Sequence, residues 1–425
     1  MKSEIKGLDL TLTKEVLDNG LTVYLVPKSD ITSIYATYTT KFGSNYTEFY
    51  VDGKLVKVPD GIAHFLEHKM FEQESGIDVS SEFSLNGVSS NALTSNYKTT
   101  YLFDGSSKFY ENLDLLLNYV GEPYFTDQNV LKEKHIIEQE IDMYADNPYK
   151  ASYLSLLENV FVYDPSKVPV IGSKESINSI TKEDLYMCYN TFYDPHNMFL
   201  VITGNIDPDE TLEKIRLNQE KRQKKNYNGF TLKEIEEPKE VLKSYVELHM
   251  NITVPKVTIG FKLSIKDLEI KTGLTSREMR RYLNIFASIR FGNVSLFLDE
   301  LRKENIITST LDYSVYSTDD YIIFILDCDS KNPDVVIDKI KEELKISDVK
   351  EELFNLKKKS IIASSVYMSE NIYSINQKIV DDVIYCGEVE CDTLDRFKAL
   401  NYKEFIDFIE KLDFSNHTTV VVKPM

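Results

Sequence analysis

A chain of 425 residues, 42% hydrophobic and 28% charged, can bury a substantial core, which argues against disorder and sets a prior of about two to three domains. Its formal net charge of -19 excludes the basic surface that a nucleic-acid binder needs to displace counterions. The four cysteines, Cys188, Cys328, Cys386 and Cys391, include no C-x-x-C pair and are too sparse for a secreted disulfide framework, so they read as small buried hydrophobes.

In chain order, the opening MKSEIKGLDLTLTKEVLDNG has no apolar h-region, so no signal peptide is expected. No apolar run approaches the ~20 residues of a membrane span, and the protein is expected to be cytoplasmic. Asn19-Gly20 is a turn signal, and residues 21–28 (LTVYLVPK) alternate as a strand. A second β-rich run covers 31–42. Pro59-Asp60-Gly61 marks a turn that leads into a helix over 62–72 (IAHFLEHKMFE). Residues 97–103 read as a strand. Residues 108–120 and 128–145 carry helical periodicity, with Asp127 as the N-cap of the second. Thr181 and Asp184 form a capping box that opens a helix over 181–192. A short buried strand over 198–203 ends at Gly204. The lysine- and glutamate-rich stretch 205–243 predicts an exposed linker at its centre. Beyond it, 257–264 and 321–329 are strand-like, 276–304 and 333–345 helical, and 417–424 (HTTVVVKP) a closing strand. This order implies an α+β fold of two related domains, each an antiparallel-rich sheet packed with helices: an N-terminal domain over 1–225 and a related C-terminal one over 226–425. The echo lies in the order of elements, not in repeated residues.

The chemistry concentrates in His64-Phe65-Leu66-Glu67-His68. Residues four apart on a helix lie one turn apart on one face, so His64 and His68 can reach one ion together. A catalytic zinc site takes three protein ligands and keeps a position for water. Glu67, beside that face, is placed to take a proton from an attacking water. H-x-x-E-H is the inverted counterpart of the H-E-x-x-H zinc motif, and chance produces such a pattern about once in a hundred chains of this composition. Two solvated histidines on a surface helix are the competing reading. A third ligand is expected from the helix at 128–145, where Glu133 and Glu140 are two turns apart and share a face that His135 and Glu138 do not. One of the two can reach the metal while the other orients ligands or substrate from behind.

These residues resemble the pitrilysin or insulinase family of zinc peptidases, the inverzincins. The resemblance runs through LDNGLTVYLVPK, GIAHFLEHKMFE, SSNALTSNYKTTYLF, PYFTDQNVLKEKHIIEQEIDMYADNP and IGSKESINSITKEDLYMCYNTFYDPHNMFLVITGNID, in the family's order, and is nearest to its bacterial YmfH- and AlbF-like branch. It implies one zinc ion per chain held by His64, His68 and Glu140, Glu67 as the catalytic base, and Glu133 as a supporting carboxylate. The separation of His68 from Glu140 is a few residues shorter than in better-known members, a difference of loop length. The helical face selects Glu140 over Glu138.

The resemblance also implies that Asn91 and Ala92 lie on an edge strand that pairs with the substrate backbone, by β-augmentation; on sequence alone, Asn91 reads rather as a turn residue. In 295–309 (SLFLDELRKENIITS), Arg302 matches an arginine that contacts substrate near the scissile carbonyl, but the tyrosine expected seven residues later is Ser309. A dimer is therefore expected, with a family paralogue supplying an Arg/Tyr pair. Tyr313 or Tyr316 standing in for that tyrosine, or a site that does not need the pair, is the alternative. The activity implied is a zinc endopeptidase acting on short or unfolded peptides. A non-catalytic assembly subunit and a maturation peptidase dedicated to one modified peptide are the other readings.

Overall fold

A computed structural model describes residues 1–425 apart from 77, 223–226 and 346, and the backbone alone of residue 309. The chain divides into two compact units, neither continuous in sequence: Met1–Ile141 with Pro169–Glu234 and Ser365–Asp395, and Asp142–Val168 with Ile235–Ser364 and Arg396–Met425. The expected boundary between residues 225 and 226 falls outside the described residues. Among the described residues, no helix is long and apolar enough to cross a membrane.

The first unit is built from β1 (Lys2–Ile5), β2 (Leu10–Val16), β3 (Thr22–Pro27), β4 (Ile34–Thr40), β5 (Glu48–Val51), β6 (Lys54–Lys57), β7 (Val88–Thr94), β8 (Thr99–Gly105), β9 (Met198–Gly204) and β10 (Thr231–Leu232). Seven of these make one sheet in the order β1-β2-β3-β9-β4-β8-β7, and β10-β5-β6 form a small second sheet. Only β3 and β9 run parallel in the large sheet. The central strands β4 and β9 are buried along their whole length, as expected for strands covered on both faces. The buried threonine hydroxyls of β4 are satisfied: Thr37 donates to Asn376, Thr39 shares a hydrogen bond with Thr100, and Thr40 donates to the Phe192 carbonyl.

The second unit holds β11 (Tyr245–Met250), β12 (Lys256–Ser264), β13 (Ile307–Ser317), β14 (Tyr321–Ser330) and β15 (His417–Pro424), in the sheet order β11-β15-β12-β14-β13. Taken by position in the chain, this is first-fifth-second-fourth-third. The strands β3, β4, β7, β8 and β9 repeat that order, and in each sheet only the first and fifth strands are parallel. The two units are thus versions of one α+β design, as the element order predicts. Each sheet also takes a helix from the other half of the sequence. Pro148–Val160 packs on β12 and β15, and Ile372–Cys386 packs on β4 and β9. Each exchanged helix is anchored by a buried polar contact on the second strand of its sheet: Ser152 with Thr258 at 2.5 Å, and Asn376 with Thr37 at 2.8 Å.

Two local expectations are corrected. The helix predicted over 276–304 is two, Ser276–Arg290 and Leu296–Lys303. The break falls at Gly292, where a Cβ would stand 2.3 Å from the Ser288 carbonyl oxygen, and Ser295 caps the second helix by accepting the Leu298 N–H. Asp127 is the first residue of its helix and not the cap. Thr126 accepts the Asn129 N–H, and the Asn129 side chain accepts the Thr126 N–H in return, a reciprocal cap. The stretch 205–243 opens with a helix, Pro208–Glu220, capped by Asp207, and its centre, where a linker is expected, includes residues 223–226, outside the described residues.

Candidate metal centre

The motif helix, Ile62–Met70, begins at Gly61, which has φ 85°. A Cβ there would meet the Ile171 carbonyl oxygen at 2.6 Å, so this start requires glycine. Ile62, Ala63, Phe65, Leu66 and Met70 are all essentially inaccessible to solvent and bolt the helix into the unit. His64 and His68 project from the neighbouring stripe, with ring centroids 4.5 Å apart.

The second contribution comes from the helix Asp127–Ala145, which buries Val130, Glu133 and Ile137. Its spacing delivers both glutamates to the histidines. Glu140 Oε2 lies 3.7 Å from His64 Nε2 and 3.8 Å from His68 Nε2. Ligands about 2.1 Å from a tetrahedral zinc ion stand ~3.4 Å apart, so these two separations come within a few tenths of an ångström of that spacing. Among the described residues, His64, His68 and Glu140 are the one group of three or more His, Cys, Asp or Glu side chains whose ligand atoms converge, all within 4.8 Å of one another. Glu138 points elsewhere: it accepts from the Asn178 side chain at 2.6 Å and lies near His135.

The two histidines are held differently. His68 Nδ1 is 3.0 Å from Glu133 Oε1. A carboxylate there accepts a hydrogen bond from Nδ1–H and leaves Nε2 with a free lone pair for a metal. His64 Nδ1 is buried without a hydrogen-bond partner among the described residues, so packing alone orients that ring. Burial, reinforced by the neighbouring His68 charge, holds the His64 imidazole down to about 4, against the pull of Glu140 and Glu133. It is therefore neutral and ready to ligate at neutral pH. Burial also pushes His68 down, but the Glu133 hydrogen bond and the charges of Glu133, Glu67 and Glu140 carry it above the ordinary histidine range. Glu133 feels burial pushing up, overcome by the His68 hydrogen bond and by the charges of His68 and Lys69, and ends below the usual carboxylate range. Glu133→Gln is therefore expected to weaken zinc binding by about 10–100-fold, the usual cost of an outer partner, measured by competition with a chelator of known affinity.

Glu67 is 9% exposed. Burial raises its carboxyl above the ordinary range even though Thr94 donates a hydrogen bond to it. Sequence reasoning missed Thr94, whose Oγ1 is 2.5 Å from Glu67 Oε2. It also missed Lys69, fully buried, paired with Glu72 and 3.7 Å from Glu133 Oε2. The position of Lys69, next to a ligand on a helix otherwise set in the core, was the one available signal for it.

Asn91 and Ala92 lie in β7, at the edge of the large sheet. The Ala92 N–H bonds to the Asn91 side-chain oxygen at 2.9 Å and not to β8, so it faces the open edge. Arg302 lies exposed in the last turn of Leu296–Lys303, in the second unit. The side chain of residue 309 lies outside the described residues. Tyr313 and Tyr316 belong to β13.

A family model described as Insulinase (Peptidase family M16) matches residues 57–174, and one described as Peptidase M16 inactive domain matches 179–360. The chain is 38% identical over 343 residues to the uncharacterized zinc protease YmfH of Bacillus subtilis, covering 80% of this chain and 79% of that one. A crystal structure designated M16-like peptidase from Alicyclobacillus acidocaldarius is 29% identical and covers 98% of this chain and 99% of its own, with a TM-score of 0.91. The peptidase M16 inactive domain from Pseudomonas fluorescens shares the fold at 15% identity, covering 97% and 98% of the two chains, with a TM-score of 0.77.

Proposed function

The chain belongs to the insulinase family, peptidase family M16, and from that premise we propose that it is a zinc-dependent endopeptidase acting on short or unfolded peptides, with His64, His68 and Glu140 as metal ligands and Glu67 as the base. The observation that carries the reading is the approach of Glu140 Oε2 to within 3.7 and 3.8 Å of the two Nε2 atoms, on a helix that also presents a buried carboxylate, Glu67. A bound zinc ion would supply Lewis acidity there, lowering the pKa of water towards neutrality and stabilising developing oxyanion charge.

The chain's own groups do the rest. Glu67 Oε2 is engaged by Thr94, which leaves Oε1 to accept a proton from water as its oxygen bonds to the peptide carbonyl carbon. The same carboxyl then gives that proton to the leaving nitrogen as the carbon–nitrogen bond breaks, and Glu67 returns to its starting form. Glu133 keeps His68 in the tautomer that presents Nε2. The open edge of β7 offers main-chain donors and acceptors to an extended peptide, a mode nearly indifferent to side chains.

Two finer points belong to the same proposal. The presence of Arg302 without a tyrosine seven residues on supports pairing with a family chain that supplies an Arg/Tyr pair. A non-catalytic assembly role is favoured by the inactive-domain match over 179–360, but all four site residues lie in the segment matched by the other model, which supports catalysis.

The deciding experiment is digestion of a peptide library by the purified full chain, alone and with its nearest family paralogue. Cleavage is expected to stop on chelation and return when zinc is restored to about one ion per chain. Zinc-loaded chain that cleaves nothing, with or without the paralogue, overturns the peptidase reading, and cleavage untouched by chelation overturns the metal.

A further inference from the structure

Thr94 is the last residue of β7, three positions beyond Asn91. Its hydroxyl oxygen is 2.5 Å from Glu67 Oε2 and 3.3 Å from Thr99 Oγ1. A threonine hydroxyl has one proton to give. Thr99 gives its own to the Phe42 carbonyl oxygen at 2.9 Å, and so has none for Thr94. The Thr94 proton goes to the nearer and charged acceptor, Glu67, in a charge-assisted hydrogen bond. The bond leaves the second carboxylate oxygen of Glu67 free.

The backbone of the same residue faces the other way. Along an antiparallel strand, successive residues direct their N–H and C=O groups alternately toward the paired strand and away from it. Ser95 N–H bonds to the Lys98 carbonyl across the hairpin, and Thr94 stands opposite Thr99. Thr94 therefore turns its main-chain groups outward, on the side already marked by the Ala92 N–H two residues earlier. One residue thus presents its main chain to the open edge and its side chain to the buried carboxylate.

We propose that Thr94 is a positioning residue that ties the substrate-docking edge to the base: a peptide added as a strand along β7 fixes the Thr94 backbone, and the Thr94 hydroxyl fixes Glu67 for proton transfer. This rests on the reading of Glu67 as base and β7 as docking strand. It explains why an ordinary strand threonine bonds a carboxylate on the motif helix. It also implies that peptides too short to pair with β7 are turned over slowly even when they reach the metal.

The test uses the full zinc-loaded chain and a fluorogenic peptide long enough to form a strand. Thr94→Val keeps the shape and the backbone but removes the donor. Its kcat is expected to fall about ten- to a hundredfold, the size of a modest misplacement of a reacting group, with KM within about twofold and zinc content unchanged. Thr94→Ser keeps the donor and is expected to stay near wild type. In crystals of metal-free Thr94→Val, the Glu67 carboxylate is expected to leave its present orientation. Wild-type kcat in Thr94→Val, an unmoved Glu67, or a Thr94→Ser loss equal to that of Thr94→Val overturns the proposal. If the valine variant folds poorly, Thr94→Ala against Thr94→Ser gives the same comparison. Glu67→Gln measured in parallel separates the two ideas. Full turnover in that variant brings down the base itself, whereas an inactive Glu67→Gln beside a fully active Thr94→Val brings down only the role of Thr94.

Discussion

Glu67→Gln is expected to reduce peptide turnover by about 10²–10⁴-fold, the usual contribution of a positioned acid or base, while zinc stays at about one ion per chain. The two halves of that outcome have separate physical causes. Turnover falls because glutamine has no lone pair of carboxylate basicity to offer the attacking water and no proton to return to the leaving nitrogen. Burial sharpens the contrast: it raises the Glu67 carboxyl above its ordinary range, which brings a carboxylate base closer to the working pH and makes it a stronger acceptor than a free glutamate. Zinc stays because Glu67 is outside the converging group of His64, His68 and Glu140. The fold should hold as well, since glutamine matches glutamate in size and its carbonyl oxygen can still accept the Thr94 proton. Turnover within about twofold of wild type would remove Glu67 from the base role. Loss of zinc would make it a ligand.

The contrast between Glu67 and Thr94 shows what was legible in the sequence. His64, Glu67 and His68 declared themselves because their spacing is local: one turn of one helix fixes which side chains meet. Glu133 and Glu140 were legible as a pair for the same reason, seven residues being two turns, although only the fold brings that pair to the histidines. Thr94 was not legible. A threonine near the end of a strand is ordinary, and its partner lies 27 residues away on a different element. The fold divides in the same way. Strands β3, β4, β8, β9, β12, β14 and β15 were found by composition and alternation, and the α+β duplication by their order. The exchange of Pro148–Val160 and Ile372–Cys386 between the two sheets was invisible, because an amphipathic helix does not say which sheet it covers. β13 alternates inward Leu311, Tyr313 and Val315 with polar residues, yet no element was expected between 304 and 321.

The other large effect should come from the ligands themselves. His64→Ala and Glu140→Gln are each expected to lose zinc, with affinity falling beyond the ~10–100-fold typical of an outer partner, and activity should fall with it. A catalytic site has only three protein ligands, so removing one leaves two donors against open water. His64 tests the geometry most sharply. Its Nδ1 has no hydrogen-bond partner among the described residues, and burial holds its pKa near 4, so at neutral pH the ring carries no charge to pair with Glu140. Its Nε2 faces Glu140 Oε2 at 3.7 Å, beyond hydrogen-bond distance. A buried imidazole so placed lacks a partner that a cation would supply, and binding one requires no prior loss of an imidazolium proton. Glu138→Gln is the matched control: its carboxylate is occupied by Asn178, and the variant should bind zinc as wild type does. Metal analysis of the four proteins purified in parallel decides the matter. If His64→Ala keeps a full equivalent of zinc, or Glu138→Gln loses it while Glu140→Gln does not, the ion is held elsewhere and the assignment of all three ligands falls with it.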